Sequence, residues 1–386
     1  MNNILQNWKK LALTMVVAGA AIFLLSFLLG ARGGYMHFGD GGIKITAGDD
    51  YVIQEADLAP FDSVEAMASI ADVELIASDR YGIELRLPAG VSEPTWNITN
   101  GKLTVNALSS GHFISFMDFG LTRCYVKVYY PRYASIEGGA GGARNADAAG
   151  GADAAGGADS GALKSVELST KSGDIKLSNV SAESISLKAN SGSISADLGH
   201  YLQATLQTGS GDIAFAGNGS GANSGNGGSS DGDGASDGAR LELRTGSGRI
   251  TADASGCAET TASTSSGNIM ITGRTPASAQ LRVSTKSGNA VVDASAWQSL
   301  AVEATSGNIR IAGEPFGATS ANTRSGNVSM ALRGAEGDFS YDLSTGSGSI
   351  HVGGRRQGSP ARIVNGEAAN MVNARASSGN IRVSFN

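Results

Sequence analysis

One phrase, repeated ten times in phase, limits this chain more than any other property. From residue 163 onward it reads KSGDI, NSGSI, GSGDI, GSGRI, SSGNI, KSGNA, TSGNI, RSGNV, GSGSI and SSGNI. Its glycines are Gly173, Gly192, Gly211, Gly248, Gly267, Gly288, Gly307, Gly326, Gly348 and Gly379, at intervals of 19, 19, 37, 19, 21, 19, 19, 22 and 31 residues. A unit of about 19 residues is too small to bury a core alone, so neighbouring units must stack and share one.

The residues around each glycine define the stack. Positions seven and five before it, and two and four after it, are apolar, as in Val166, Leu168, Ile175 and Leu177, or Leu300, Val302, Ile309 and Ile311. Of the forty such positions, four in each of ten coils, only Thr260 and Thr319 are not apolar when alanine and tyrosine are counted as apolar. The positions between them are mostly polar, so each coil holds two short half-buried strands joined at the glycine. Three before each glycine stands Thr170, Thr208, Thr245, Thr264, Thr285, Thr323 or Thr345, or else Ala189, Ala304 or Ala376. This residue should face inward at the bend, with the threonine hydroxyl bonding locally. The glycine is expected to supply a positive φ. Directly after it come Asp174, Asp212, Asn268, Asn289, Asn308, Asn327 and Asn380, interrupted by Ser193, Arg249 and Ser349. Stacking would align these into a hydrogen-bonded ladder along the turns.

Such a short coil has no room for a helical crossover. The expected fold is all-β, a parallel β-helix-like solenoid with a period of about 19 residues and coils roughly 4.8 Å apart. The regular coils span 163–386, and length variation falls in the connection opposite the Ser-Gly bend. Residues 216–240 and 353–371 therefore read as flexible inserts, and 137–162 as a Gly/Ala-rich inserted loop at the same corner. Residues 31–136 alternate less regularly and read as irregular N-terminal β coils that cap the solenoid. At the other end, the coil after Gly379 shows no recognisable cap, and a free parallel edge predicts self-association through the C-terminal β edge.

Residues 11–30 (LALTMVVAGAAIFLLSFLLG) carry no charge and have the length of a transmembrane helix. Lys9 and Lys10 precede them, which puts the short tail 1–10 in the cytoplasm and the bulk of the chain outside, as a single-pass anchor. The run is longer than the apolar core of a cleaved signal.

The sequence offers no catalytic constellation, cofactor motif or metal-ligand set, and predicts no enzyme. His37, His112, His200 and His351 are dispersed, and the calcium-binding nonapeptide of β-rolls is missing. Lys176, Arg310, Arg382 and His351, each three after a glycine, could share one outer strip without an accompanying acid. Cys124 and Cys257 make no metal pattern, and a disulfide between them is open to test. A formal charge of −6 is too mild to point to nucleic acid as a partner.

The Ser-Gly-[Asn/Asp/Ser]-Ile phrase, in alternating short strands behind one membrane helix, resembles the bacterial putative-adhesin family of β-strand-repeat ("toast-rack") proteins. The resemblance runs from about residue 60 to the C-terminus and is strongest from Leu163. It implies a β-helix-like domain in the cell envelope with no catalytic residues. The long loops depart from the compact family pattern. The expected role is a membrane-tethered adhesin or scaffold contacting an envelope polymer or a membrane protein. The alternative is an extracytoplasmic accessory of an envelope-stress sensing system.

Overall fold

The computed structural model describes residues 14–19, 21, 25, 34–39, 42–46, 50–87, 93–108, 112–116, 124–131, 162–219, 238–358, 361–366 and 368–386. Each of the ten coils runs along one strand into the Ser-Gly bend and out along a second. We call these the entry and exit sheets. From Ile175–Ser191, Ile194–Ser210, Ala290–Ser306 and Ile309–Ser325, the exit strand continues without a break into the entry strand of the next coil. Pairing between these coils is parallel and in register, so Val166, Ile185, Ala204 and Leu241 stack one on the next. The predicted inward positions line the core, including Thr260 and Thr319, each 1% exposed.

The core extends beyond those positions. The corner between the exit and entry sheets buries Val180, Leu198, Tyr201, Cys257, Ala294 and Trp297. No strict alternation marks them, because the chain turns there and the pairing register shifts, as between Leu177 and Val180 or Asp293 and Ala296.

Two further coils join the ten. Ser63–Ala68 and Asp72–Ser78 form one, Lys102–Ala107 and Tyr125–Pro131 the other, both parallel to the stack. Twelve coils at about 4.8 Å make a stack on the order of 55 Å long. A separate three-stranded antiparallel sheet places Gly34–Gly39 between Gly42–Thr46 and His112–Phe116.

The order of coils in space differs from their order in the chain, at both ends. The Gly379 coil does not lie outermost. Its strands Asn370–Ser378 and Ile381–Phe385 insert between the Gly326 coil and the Gly348 coil. At the other end, the 63–78 coil lies between the 102–131 coil and the Gly173 coil. In both places the intervening coil in the chain becomes the outer one, and antiparallel strands close it. Ala361–Asn365 pairs with Phe339–Ser347, and Arg355–Gln357 pairs with Ile350–Val352. Thr95–Thr99 pairs with Lys102–Ala107, and Gly82–Leu87 with Tyr125–Pro131; Tyr51–Ala56 then covers Gly82–Leu87.

This arrangement corrects two expectations. The C-terminal strand is not a free edge, since it has a neighbour on each side, and the self-association drawn from a bare edge loses its basis. The segment 353–371 is not a flexible insert. It holds both C-terminal capping strands, Arg355–Gln357 and Ala361–Asn365, and carries the chain from the outer coil back to the inner one. An extra length of chain is what that return requires. The insert assigned to 216–240 begins later than expected, because Ile213–Gly219 is strand and the stack resumes at Ala239; 220–237 lie outside the described residues. So does the loop 137–162 apart from residue 162. The membrane span expected at 11–30 also lies largely outside them: Thr14–Gly19, Ala21 and Leu25 are helical and exposed. Among the described residues no helix is long and apolar enough to cross a membrane.

Candidate functional site

At the bend edge most backbone groups find a hydrogen-bond partner in a neighbouring coil. The glycine N–H donates to the serine carbonyl of the next coil, as Gly192 to Ser210 at 3.0 Å and Gly307 to Ser325 at 2.9 Å. The N–H two residues on donates to the carbonyl of the residue that follows the glycine in the next coil, as Ile175 to Ser193 at 2.9 Å. That leaves the residue after the glycine with a free N–H, and the glycine with a free carbonyl. The first is met by the ladder. Asp72, Asp174, Asp212, Asn268, Asn289, Asn308, Asn327 and Asn380 each accept, through a side-chain oxygen, the N–H of the equivalent residue one coil on, at 2.7–2.9 Å.

The glycine carbonyl is met by threonine. Thr208, Thr245, Thr264, Thr285, Thr323 and Thr345 donate to the glycine carbonyl of the preceding coil in space, at 2.7–3.3 Å, and Thr170 donates to the Ala71 carbonyl at 3.1 Å. The hydroxyl therefore bonds across coils and not locally, which is why threonine recurs there. Thr345 reaches Gly379 and not Gly326, in keeping with the exchanged coil order.

The bend glycines are needed for space more than for a special φ. A Cβ on any of the ten would collide with the backbone carbonyl of the coil below: Ala71 for Gly173, Gly288 for Gly307, Gly326 for Gly379. Gly288, Gly348 and Gly379 add φ values of 146°, 146° and 143°, a region L-residues avoid. Outside the ring of glycines, the preceding serines of all ten coils stand exposed in a second row.

The outer face of the entry sheet carries a groove of about 830 Å³ across five coils, from Gly288 to Gly348. Its outer row, two before each glycine, reads in space Lys286, Thr305, Arg324, Ser377, Gly346. The inner row, four before, reads Ser284, Glu303, Asn322, Arg375, Ser344, in register. Lys286, Arg324 and Arg375 are exposed and, among the described residues, form no ion pair within 4.0 Å. Sequence alone does not reveal this groove, because Arg375 comes to stand beside Asn322 only through the exchanged order of the last two coils. On the exit sheet the register places Arg310, Ser329, Arg382 and His351 side by side. Lys176 lies elsewhere on that face, beside Ser195 and Glu74.

Several interior polar groups are paired, while among the described residues Thr260 Oγ1 and Asn373 Oδ1 are buried without a hydrogen-bond partner. The buried Tyr201 hydroxyl and Cys257 thiol lie 2.9 Å apart, and burial pushes both pKa values above their ordinary values. Trp297 donates its indole N–H to Thr319 at 2.9 Å, which accounts for one of the two polar exceptions in the apolar pattern. Cys124 and Cys257 are not bonded to each other. Near the N-terminal cap, Tyr125 and Tyr129 donate to Glu84 at 2.6 and 3.1 Å. The Tyr125 hydrogen bond holds the Glu84 carboxyl below its usual range, while burial, with Glu84 beside it, pushes Tyr129 up to about 12. His200 and His351 lie far apart on the stack, and among the described residues no cluster of metal-ligating side chains occurs.

The family model Toastrack DUF4097 matches residues 62–296 and 237–384. No curated protein matches the chain. Among solved structures, a putative adhesin from Bacteroides fragilis NCTC 9343 is 11% identical, covering 86% of this chain and 97% of that one, with a TM-score of 0.31. A putative lipid binding protein from Parabacteroides distasonis ATCC 8503 is 12% identical, covering 87% and 98%, with a TM-score of 0.35. A putative cell adhesion protein from Clostridium sporogenes ATCC 15579 is 8% identical, covering 87% and 100%, with a TM-score of 0.17.

Proposed function

This chain belongs to the Toastrack DUF4097 family, and on that premise we propose that it is a non-enzymatic adhesin or scaffold of the cell envelope. Its residues 11–30 anchor it to the membrane, the tail 1–10 is cytoplasmic, and the β stack stands outside. The observation that carries this reading is the surface repeat. Serine and Asp/Asn rows follow the bend edge from coil to coil, on a frame whose buried polar groups serve packing. A rigid surface that repeats at one coil spacing suits a partner that is itself extended and repetitive. Catalysis would instead need titratable groups gathered in one cavity.

Two measurements test it. Cells carrying the full chain should adhere to envelope polymer or to other cells more than cells whose chain lacks 163–386; equal adhesion refutes the role. The full chain should remain in the membrane fraction after alkaline extraction with Met1 attached. Recovery as a soluble, N-terminally cleaved chain refutes the tether.

A further inference from the structure

The geometry points to the groove on the entry sheet as a binding site for an anionic polysaccharide lying along the stack. This inference rests on the adhesion reading above and names the ligand class. Three features of the groove carry it.

The first is charge. The groove concentrates Lys286, Arg324 and Arg375 against the single acid Glu303, on a chain whose formal charge is −6. Nearby Asp342 is held by Arg362 through two hydrogen bonds of 2.8 and 2.9 Å and interacts with Arg375 only through space. The second is spacing. Lys286 and Arg324 stand two coils apart in one row, with Thr305 between them. At about 4.8 Å per coil that separation is roughly 10 Å, close to the advance of two pyranose rings, so a chain with one acid per two sugars can meet both cations. The third is lining. Hydroxyl and amide groups, among them Thr305, Asn322 and Ser377, fill the space between the cations and suit sugar hydroxyls. The lining has no aromatic ring on which nucleic-acid bases would stack, and no large apolar side chain for an acyl chain.

The test uses the full chain in detergent micelles. The probe is labelled polygalacturonate, a linear polymer of acidic pyranoses, compared with its methyl ester, which keeps the rings and loses the charge. The acid polymer should bind, and salt should weaken it. The double variant R324Q/R375Q should lose about tenfold in affinity. The double variant R310Q/R382Q, which removes the same charge from the exit sheet, should change it little. All four arginines are exposed, and unchanged thermal unfolding confirms that both variants fold. The inference is overturned by absence of binding, by equal binding of the ester, by equal loss in the two variants, or by a preference for phosphatidylglycerol vesicles over the polymer. The cell-adhesion assay separates the two readings. Adhesion that persists in R324Q/R375Q, or in a chain that never bound the polymer, discards the groove and keeps the adhesin.

Discussion

Replacing Gly307 by alanine tests the account of the bend directly. The added Cβ would strike the Gly288 carbonyl and approach the Asn289 N–H at 3.3 Å. These are backbone atoms held on both sides, with Gly288 N–H bonded to Ser306 at 3.0 Å and Ala290 N–H to Asn308 at 3.0 Å. They cannot swing aside as the end of a side chain would. The two coils must part at the bend, which strains the Gly288–Ser306 bond and the 2.9 Å bond from Asn308 N–H to the Asn289 side chain. Two hydrogen bonds at roughly 1 kcal/mol each, with overpacking strain of about 1–3 kcal/mol, give a loss of about 3–5 kcal/mol. Gly337 is the matched control. A Cβ there meets no atom within 4 Å, and G337A should fall within about 0.5 kcal/mol of the parent. Thermal unfolding followed by circular dichroism should show G307A melting on the order of 10 °C below G337A. Because coupling between neighbours holds a solenoid together, the transition should also broaden or split. If the two variants melt within about one degree of each other, the stack is looser than described and the reasoning fails.

The remaining predictions concern single interactions. Ala304 occupies the site where Thr323 and six other threonines donate to a bend carbonyl, so A304T should satisfy the Gly288 carbonyl and raise stability by about 0.5–1.5 kcal/mol, read by denaturant titration. T319V keeps the shape but removes the acceptor of the buried Trp297 N–H, and should cost about 1–3 kcal/mol in the same titration. Glu84 is held below its ordinary value of 4.5, so its contribution is present above that value and is lost as pH falls through the lower folded value. E84Q should therefore flatten the acid limb of the stability–pH curve. Tyr129 has the opposite sign: raised from 10.0 to about 12, it contributes below pH 10 and loses that contribution as pH rises through about 12, observable by tyrosinate absorbance.

The inward positions were readable because a strand alternates with period two, and any register that buried Val166 had to bury Leu168. The Asp/Asn ladder followed once the coils were stacked. The corner core was not readable, because Tyr201, Cys257 and Trp297 sit where the chain turns and alternation lapses. Thr260 and Thr319 did mark the neighbourhood as breaks in an otherwise apolar pattern. Coil order was illegible for a different reason. The Gly348 and Gly379 coils present nearly the same faces, Leu343 and Ile350 in one and Ala374 and Ile381 in the other, and either pattern fits beside the Gly326 coil. The groove inherits that ambiguity, since Arg375 stands beside Asn322 only after the exchange.

The exchanged order also sets a problem in time. As the chain is made, the Gly348 coil emerges before the Gly379 coil and meets an open Gly326 edge whose carbonyls suit it. The native neighbour of that edge has not yet been synthesised. Docking there would be productive for every sheet bond and wrong for the fold, so the early coil must wait or be displaced when 370–385 arrives. Once in place, Phe385 stacks on Phe339 at 5.0 Å and Arg362 grips Asp342 across the outer pair. Fraying from that end must then open the outer coil before it can free the inner one. The same exchange that slows assembly acts as a latch, and the stack should be slower to lose its end than an ordinary solenoid that unzips one coil at a time.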